Sequence, residues 1–106
     1  DYGRKNLLVI ARLSGQVGAA RRCRYVCEIA YLGPNGRLER ARGELTGRVA
    51  ERPAGRGGFG YDPLVYLPKL RRTVAQLSPS EKHALSHRGR AARKIKPVVE
   101  RSLLGP

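Results

Sequence analysis

Two kinds of hydrophobic spacing divide the first half of the chain into a helix and two strands. From Asn6 to Leu13, apolar residues recur at near-helical spacing and glycines follow, which predicts a short helix and then a loop. From Cys23 to Tyr31, apolar and polar positions alternate, as is typical of a half-buried strand. Turn residues at 33–36 lead into a second extended stretch over 37–51. We therefore expect a β-hairpin after the first helix.

A loop, a short strand and a capped helix are predicted after the hairpin. Residues 52–60 are rich in Pro and Gly and predict a loop, whereas residues 64–67 are consistent with a short strand. Ser78 is followed by Pro79 and, three positions on, by Glu81, which is the pattern of a capping box. A short helix should therefore run on from Pro79.

The chain closes on a predicted terminal helix. From His87 to Leu104 the apolar residues occupy about one helix face, and Pro97 predicts a kink. The resulting order of elements is that of an α/β fold with a mixed, largely antiparallel sheet and flanking helices. With this length we expect residues 1–106 to form a single partial domain, and the start at Asp1 rather than Met suggests a piece of a longer protein.

The net charge allows two interpretations. Twenty-two Lys and Arg against eight Asp and Glu give a formal charge of +14, which would ordinarily indicate nucleic acid or another polyanion as a partner. However, the basic residues are scattered along the whole chain, and Arg is far commoner than Lys, as a coding bias would produce. We favour this second interpretation, so nucleic acid is not the expected partner.

The two cysteines point to a reducing compartment. Cys23 and Cys27 would lie about 13 Å apart on an extended chain, beyond the roughly 7 Å limit for a disulfide, so we expect buried free thiols and a cytoplasmic protein. A zinc site that joins them to His83 and His87 is disfavoured, because the gap between the pairs far exceeds the roughly twelve residues of a compact finger. No apolar run approaches the length of a membrane span.

The densest chemical motif is a glycine-rich loop. Gly55, Gly57 and Gly60 fit the dinucleotide-binding pattern, but Pro53 stands where a strand is required and Pro63 where a helix should extend. The dinucleotide interpretation therefore fails on its context.

The same loop has two other interpretations. Its glycines allow a close approach to a ligand, Phe59 and Tyr61 offer flat faces for stacking a base, and Asp62 is held extended before a proline. Alternatively, the loop is a tight turn that plugs a core with Phe59. The residues alone leave both interpretations open.

A second group of candidate ligand-binding residues is basic. Lys82, His87 and Arg88 could donate hydrogen bonds to an anion or to a base carbonyl, and Ser86 could cap a helix whose amino end points the same way. Taken alone, a solvated basic turn explains these residues better.

Taken together in order, these motifs resemble the carboxy-terminal part of the non-canonical purine NTP pyrophosphatases, also called inosine triphosphate or XTP/dITP pyrophosphatases. The matching segments are Arg56–Pro63, Thr73–Leu77, Glu81–Lys82 and Ser86–Arg88. The resemblance extends over nearly the whole chain but only about the second half of the family's length.

The resemblance implies a fold, an activity and a site. The fold would be the carboxy-terminal part of the family's elongated α/β structure, and the activity would be Mg²⁺-dependent hydrolysis of ITP, dITP and XTP to the monophosphate and pyrophosphate, usually by a homodimer. The substrate-binding positions that carry over are Phe59, Gly60, Tyr61, Asp62, Lys82, His87 and Arg88. Phe59 is expected to stack on the purine. Donors at the basic positions suit a 6-oxo purine better than adenine, whose amino group would leave them unpaired.

The resemblance also implies what this chain does not supply. The family's phosphate-binding loop, its metal-binding Glu and its catalytic Asp belong to the first half, so we expect the Mg²⁺ ligands and the catalytic residue there and none in this sequence. Two alternatives stay open: a small basic nucleic-acid-binding module, and a non-catalytic remnant.

Overall fold

The computed structural model describes residues 1–104 and has the expected α/β architecture. Its helices and strands are α1 (Tyr2–Arg12), β1 (Arg22–Leu32), β2 (Leu38–Val49), β3 (Val65–Leu67), β4 (Arg72–Thr73), α2 (Pro79–Leu85) and α3 (His87–Leu104). The strands form one four-stranded sheet in the order β1-β2-β3-β4, in which β2, β3 and β4 pair antiparallel. The predicted mixed fold with a hairpin and flanking helices is confirmed.

The chain divides into two compact units. The first unit contains residues 1–24 and 46–82, and the second contains residues 25–45 and those from His83 onward. The division falls inside β1, β2 and α2, so these elements are shared. The expectation of a single domain stays a prediction.

The core of the first unit is built from short elements rather than from α1. Its buried apolar side chains come from the 3₁₀ turn at 62–64, from β3 and from the turn after β4: Leu64, Val65, Leu67, Val74, Ala75 and Leu77. Thr73 is buried with them and caps a 3₁₀ turn at 74–76, where its backbone N–H donates to Gln76 Oε1 (2.8 Å). This capping box gives polar atoms in the core their partners.

Helix α1 differs from the pattern predicted for it. It begins earlier than expected, because the Asp1 carboxylate caps it by accepting from Gly3 N at 2.7 Å. Its buried residue is Asn6, whereas Leu7 and Leu8 are 63% and 53% exposed. The apolar spacing therefore predicts the helix correctly but not the face that packs.

Arg21 joins the end of α1 to the end of β2. Its guanidinium donates to the carbonyl oxygens of Leu13 (2.9 Å) and Gln16 (3.2 Å) and also to those of Val49 (2.9 Å) and Ala50 (3.1 Å). Five donors in a fixed planar fork suit Arg to such multiple bonding. The loop after α1 is thus tied to the start of the glycine-rich loop.

The second unit packs α3 on the outer part of the hairpin. The turn closes where Gly33 N donates to Arg37 O at 2.9 Å. Arg90 and Lys94 of α3 donate to the carbonyl oxygens of Glu44 and Arg42, each at 2.7 Å. The predicted apolar face of α3 is buried at Ala91 and Ile95, whereas Leu103 and Leu104 are largely exposed.

Gly43 is where α3 comes closest to β2. A Cβ at this position would meet the His87 carbonyl oxygen and the Ala91 amide nitrogen. A glycine is required there because the helix backbone lies directly on the strand.

Both cysteines are free thiols, but they are half-buried rather than buried as expected. Desolvation raises the pKa of the Cys23 thiol, and a hydrogen bond from the backbone of Gly47 opposes part of this effect. Among residues 1–104, no helix combines the length and the apolar character that crossing a bilayer demands.

Candidate functional site

The glycine-rich loop is anchored to the core of the first unit. Ala54 N donates to Pro63 O at 3.0 Å, which closes the base of the loop, and Thr73 Oγ1 donates to Ala54 O at 2.6 Å. Gly57 N donates to the Ala75 carbonyl oxygen at 3.0 Å. The loop is therefore held on the buried turn at 74–76 and is not a loose connection.

Positive φ angles let the loop turn back sharply. They occur at Gly55 (90°), Gly58 (72°) and Gly60 (62°), a region that residues with a side chain rarely adopt. At Gly58 a Cβ would also meet the Asp62 carboxylate. These constraints explain why glycines stand on both sides of Phe59.

Phe59 lies at the surface, with 63% of its area exposed. The alternative in which Phe59 plugs a core is therefore wrong. The Lys82 ammonium lies 4.5 Å from the centre of the Phe59 ring, a cation–π geometry that covers one side of the aromatic system.

A partly buried ion pair fixes the Lys82 ammonium in that position. Asp62 Oδ2 accepts from Lys82 Nζ at 2.6 Å and from Phe59 N at 3.0 Å. The Asp62 side chain is only 5% exposed, and that of Lys82 is 27% exposed. One carboxylate thus orients both the aromatic residue and the cation beside it.

Gly60 and Tyr61 are supported by α1. Asn6 Nδ2 donates to the Gly60 carbonyl oxygen at 3.3 Å. The Tyr61 ring meets the Tyr2 ring edge to face with 5.2 Å between centroids, and Tyr61 remains 40% exposed. The first turns of α1 therefore lie against the loop.

The start of α2 is fixed by two sets of hydrogen bonds. Glu81 N donates to Ser78 Oγ (3.2 Å) and Ser78 N donates to Glu81 Oε1 (2.9 Å), so the predicted capping box is confirmed. Arg72 binds the same carboxylate with two donors, at 3.2 and 2.7 Å. The bonds from Arg72 and then those from Ser78 lower the pKa of Glu81 to about 2. Lys82 therefore extends from a helix whose first turn is fixed.

His87 and Arg88 belong to the second unit, at the start of α3. The His87 ring stacks on Tyr25 with centroids 4.8 Å apart and planes 25° apart. Ser86 Oγ accepts from Gly89 N at 3.0 Å, so the expected serine cap is present. Arg88 is exposed.

Five of the predicted site residues are assembled in one unit. Phe59, Gly60, Tyr61, Asp62 and Lys82 contact one another or share partners there, whereas His87 and Arg88 lie in the other unit.

Sequence reasoning missed the supports from Asn6, Tyr2 and Thr73. The sequence offered one signal for Asn6, a polar residue at the start of an apolar helical run, whereas its burial is seen only in the structure.

The described residues do not provide a metal centre. Within residues 1–104, no group of three or more His, Cys, Asp or Glu side chains could hold an ion. The one buried carboxylate of the site, Asp62, is already bonded to Lys82 and to Phe59 N.

Comparison with known proteins gives a consistent result. The Ham1 family model matches residues 1–98. A dITP/XTP pyrophosphatase of Desulforamulus reducens is 38% identical over 101 residues, which are 95% of this chain and 50% of that protein. One from Streptomyces avermitilis is 44% identical over 103 residues, or 96% and 51% of the two chains. The solved structure of the Staphylococcus aureus Ham1 protein superposes with a TM-score of 0.86 at 33% identity, over 94% of this chain and 51% of that one. The chain thus spans about half the length of the relatives it matches.

Proposed function

Because the chain belongs to the Ham1 family, we propose that it supplies the base-recognition part of a pyrophosphatase that hydrolyses ITP, dITP and XTP to the monophosphate and pyrophosphate. The observation that carries the proposal is the Phe59–Asp62–Lys82 group, in which an exposed ring and a cation are fixed by one buried carboxylate. The names of the relatives, dITP/XTP pyrophosphatases, supply the substrate class.

The chemistry of this group suits a purine. The base would stack on the side of the Phe59 ring that Lys82 does not cover, since the cation lies over the other side. Because the ammonium and the base would then lie on opposite sides of the ring, we assign the donors to the carbonyl of a 6-oxo purine to His87 and Arg88 at the start of α3. Adenine presents an amino group there, which would leave a desolvated donor unpaired and bind more weakly.

The remaining site assignments follow the same proposal. Gly60 and Tyr61 shape the loop beside the base, and Asp62 acts by orienting Phe59 and Lys82. His87 and Arg88 are proposed to contact the nucleotide from the start of α3. Arg88, being exposed, can donate two parallel hydrogen bonds to a phosphate or a carbonyl.

Hydrolysis requires Mg²⁺ ligands and a catalytic carboxylate in addition to the base-recognition residues. The residues of this chain do not fit a magnesium site, because no carboxylate cluster is present in residues 1–104. We therefore place the Mg²⁺ ligands and the catalytic carboxylate in the other half of the family fold and assign this chain the binding step. A homodimeric assembly and a cytoplasmic location belong to the same proposal.

The proposal can be tested by titrating the 106-residue chain with nucleotides and monitoring binding by NMR. We expect ITP to bind at least several-fold more tightly than ATP. Phe59→Ala should weaken both nucleotides because stacking is lost, and Arg88→Ala should reduce the preference for ITP. Arg40→Ala is the matched control, since Arg40 is exposed and its ion pair is with Glu28 of the hairpin. Equal affinities for ITP and ATP in the unmodified chain would reject the proposed base recognition.

A further inference from the structure

We propose that Asn6 is a positioning residue for base recognition and that α1 braces the loop that carries Phe59. This inference rests on the proposed function for its consequence, but its structural basis is independent of any ligand.

The first observation is the burial of Asn6. It is 6% exposed, while the neighbouring Leu7 and Leu8 point largely into solvent. Burial of a polar side chain in preference to two leucines is costly unless the amide has a specific partner. That partner is the Gly60 carbonyl oxygen, to which Nδ2 donates at 3.3 Å across 54 residues of sequence.

The second observation is the place where the bond acts. Gly60 follows Phe59 directly and has a φ of 62°, so its carbonyl fixes the direction in which the chain leaves the aromatic residue. Tyr2, one turn before Asn6, packs its ring within 3.6 Å of where a Gly60 Cβ would stand and also meets the Tyr61 ring. The helix therefore sets the orientation of the Gly60–Tyr61 peptide, one residue beyond Phe59.

The third observation is that α1 is itself held to the beginning of the same segment. Arg21 joins the carbonyl oxygens of Leu13 and Gln16, just after α1, to those of Val49 and Ala50, just before the loop. The segment from Ala50 to Tyr61 is thus connected to α1 at both of its ends. A rigid support at both ends limits how far the Phe59 ring can move, which is the property that positions a binding group.

Two substitutions separate positioning from packing. Asn6→Ala removes the bond and part of the volume. Asn6→Leu keeps approximately the volume, removes the bond, and also removes a buried Oδ1 that has no donor among the described residues. We expect Asn6→Leu to stay as resistant to denaturant as the unmodified chain and yet to bind ITP about 3- to 10-fold more weakly, the range that loss of one neutral hydrogen bond gives. Leu8→Ala is the matched control, since Leu8 lies on the same helix and is half exposed.

Hydrogen exchange of the free chain provides a readout that needs no ligand. In both Asn6 variants the amides of Phe59 and Gly57, which bond to Asp62 and Ala75, should exchange about 3- to 10-fold faster. The amides of β3 should keep their protection. Unchanged loop exchange would overturn the proposal, and so would faster exchange spread evenly over the first unit, since that indicates a general loss of stability.

The two readouts also separate this inference from the proposed function. If the unmodified chain fails to prefer ITP, the proposed function is rejected. Faster amide exchange confined to the loop in the Asn6 variants would still support the proposal that α1 positions this loop. If ITP is preferred but Asn6→Leu binds it normally, the positioning role is rejected and the proposed function stands.

Discussion

Replacing Lys82 should lower the free energy of unfolding more than replacing its ion-pair partner Asp62, because the two side chains are buried to different degrees. The Asp62 side chain is 5% exposed and accepts hydrogen bonds from Lys82 Nζ and Phe59 N. Lys82→Met removes the ammonium that this carboxylate bonds at 2.6 Å, in a place that water barely reaches. Loss of one partner from a buried pair costs about 3–5 kcal/mol, and the residual exposure places this variant near the lower limit, at about 3 kcal/mol.

The reverse substitution is milder for a structural reason. In Asp62→Asn, the amide oxygen can still accept from Phe59 N, and Lys82, at 27% exposure, can turn its ammonium toward water. The loss is then one charge-assisted hydrogen bond, worth about 1.5–3 kcal/mol, and hydration of the released ammonium places this variant near the lower limit. The double variant should cost less than the sum of the two single ones, because it also removes the buried negative charge whose lost ammonium makes Lys82→Met severe.

Urea unfolding followed by far-ultraviolet circular dichroism measures all three variants, with the free energy of unfolding obtained by linear extrapolation. Lys96→Met is the matched control, because Lys96 is 75% exposed and its ion pair with Glu100, at 3.8 Å, lies on the helix surface. We expect it to lie within about 0.5 kcal/mol of the unmodified chain. If Asp62→Asn proved as destabilising as Lys82→Met, the asymmetry argument from burial would be refuted.

Two further predictions concern the other fixed points of the fold. The pKa of Glu81 is about 2 in the folded chain and about 4.3 in an unfolded one, so its ionised carboxylate stabilises the fold above pH 4.3, and this stabilisation is lost as the pH falls toward 2. The difference in urea midpoint between the unmodified chain and Glu81→Gln should therefore shrink from pH 5 to pH 2.5. A difference that stayed constant with pH would contradict this role of Glu81. Gly43→Ala should destabilise the fold by about 1–3 kcal/mol, because the added Cβ would meet the Ala91 backbone. In the control Gly36→Ala no atom lies near the added Cβ, so only the cost of a φ of 79° applies. A smaller loss of stability at Gly43 than at Gly36 would show that α3 can move away from β2 at little cost.

Much of the fold was predictable because its signals are local. The alternation over Cys23–Tyr31 predicts β1 to within a residue at each end, and the Ser78–Glu81 pattern predicts the bonds that start α2. The terminal helix begins at His87 as predicted. In each case the deciding interactions lie within a few positions along the chain, where periodicity and capping chemistry act.

The supports of the site were not predictable in this way. Asn6 and Gly60 are 54 residues apart, and Thr73 and Ala54 are 19 apart, so no local period relates them. The spacing of α1 favoured its leucines as the packed face, yet the amide is buried because it has a backbone partner that only the folded loop provides. Tertiary context here overrides an amphipathic pattern.

The capping box of α2 has a consequence for how related sequences can vary in length. Lys82 follows Ser78 by four positions, and Ser78 fixes where the helix begins. One inserted or deleted residue between them would turn the Lys82 side chain by about 100° around the helix axis, away from the Phe59 ring. The exposed part of the hairpin turn, at 34–37, has no such dependence on register. Among homologues, length changes should therefore accumulate at that turn, while the distance from the capping serine to the lysine stays constant.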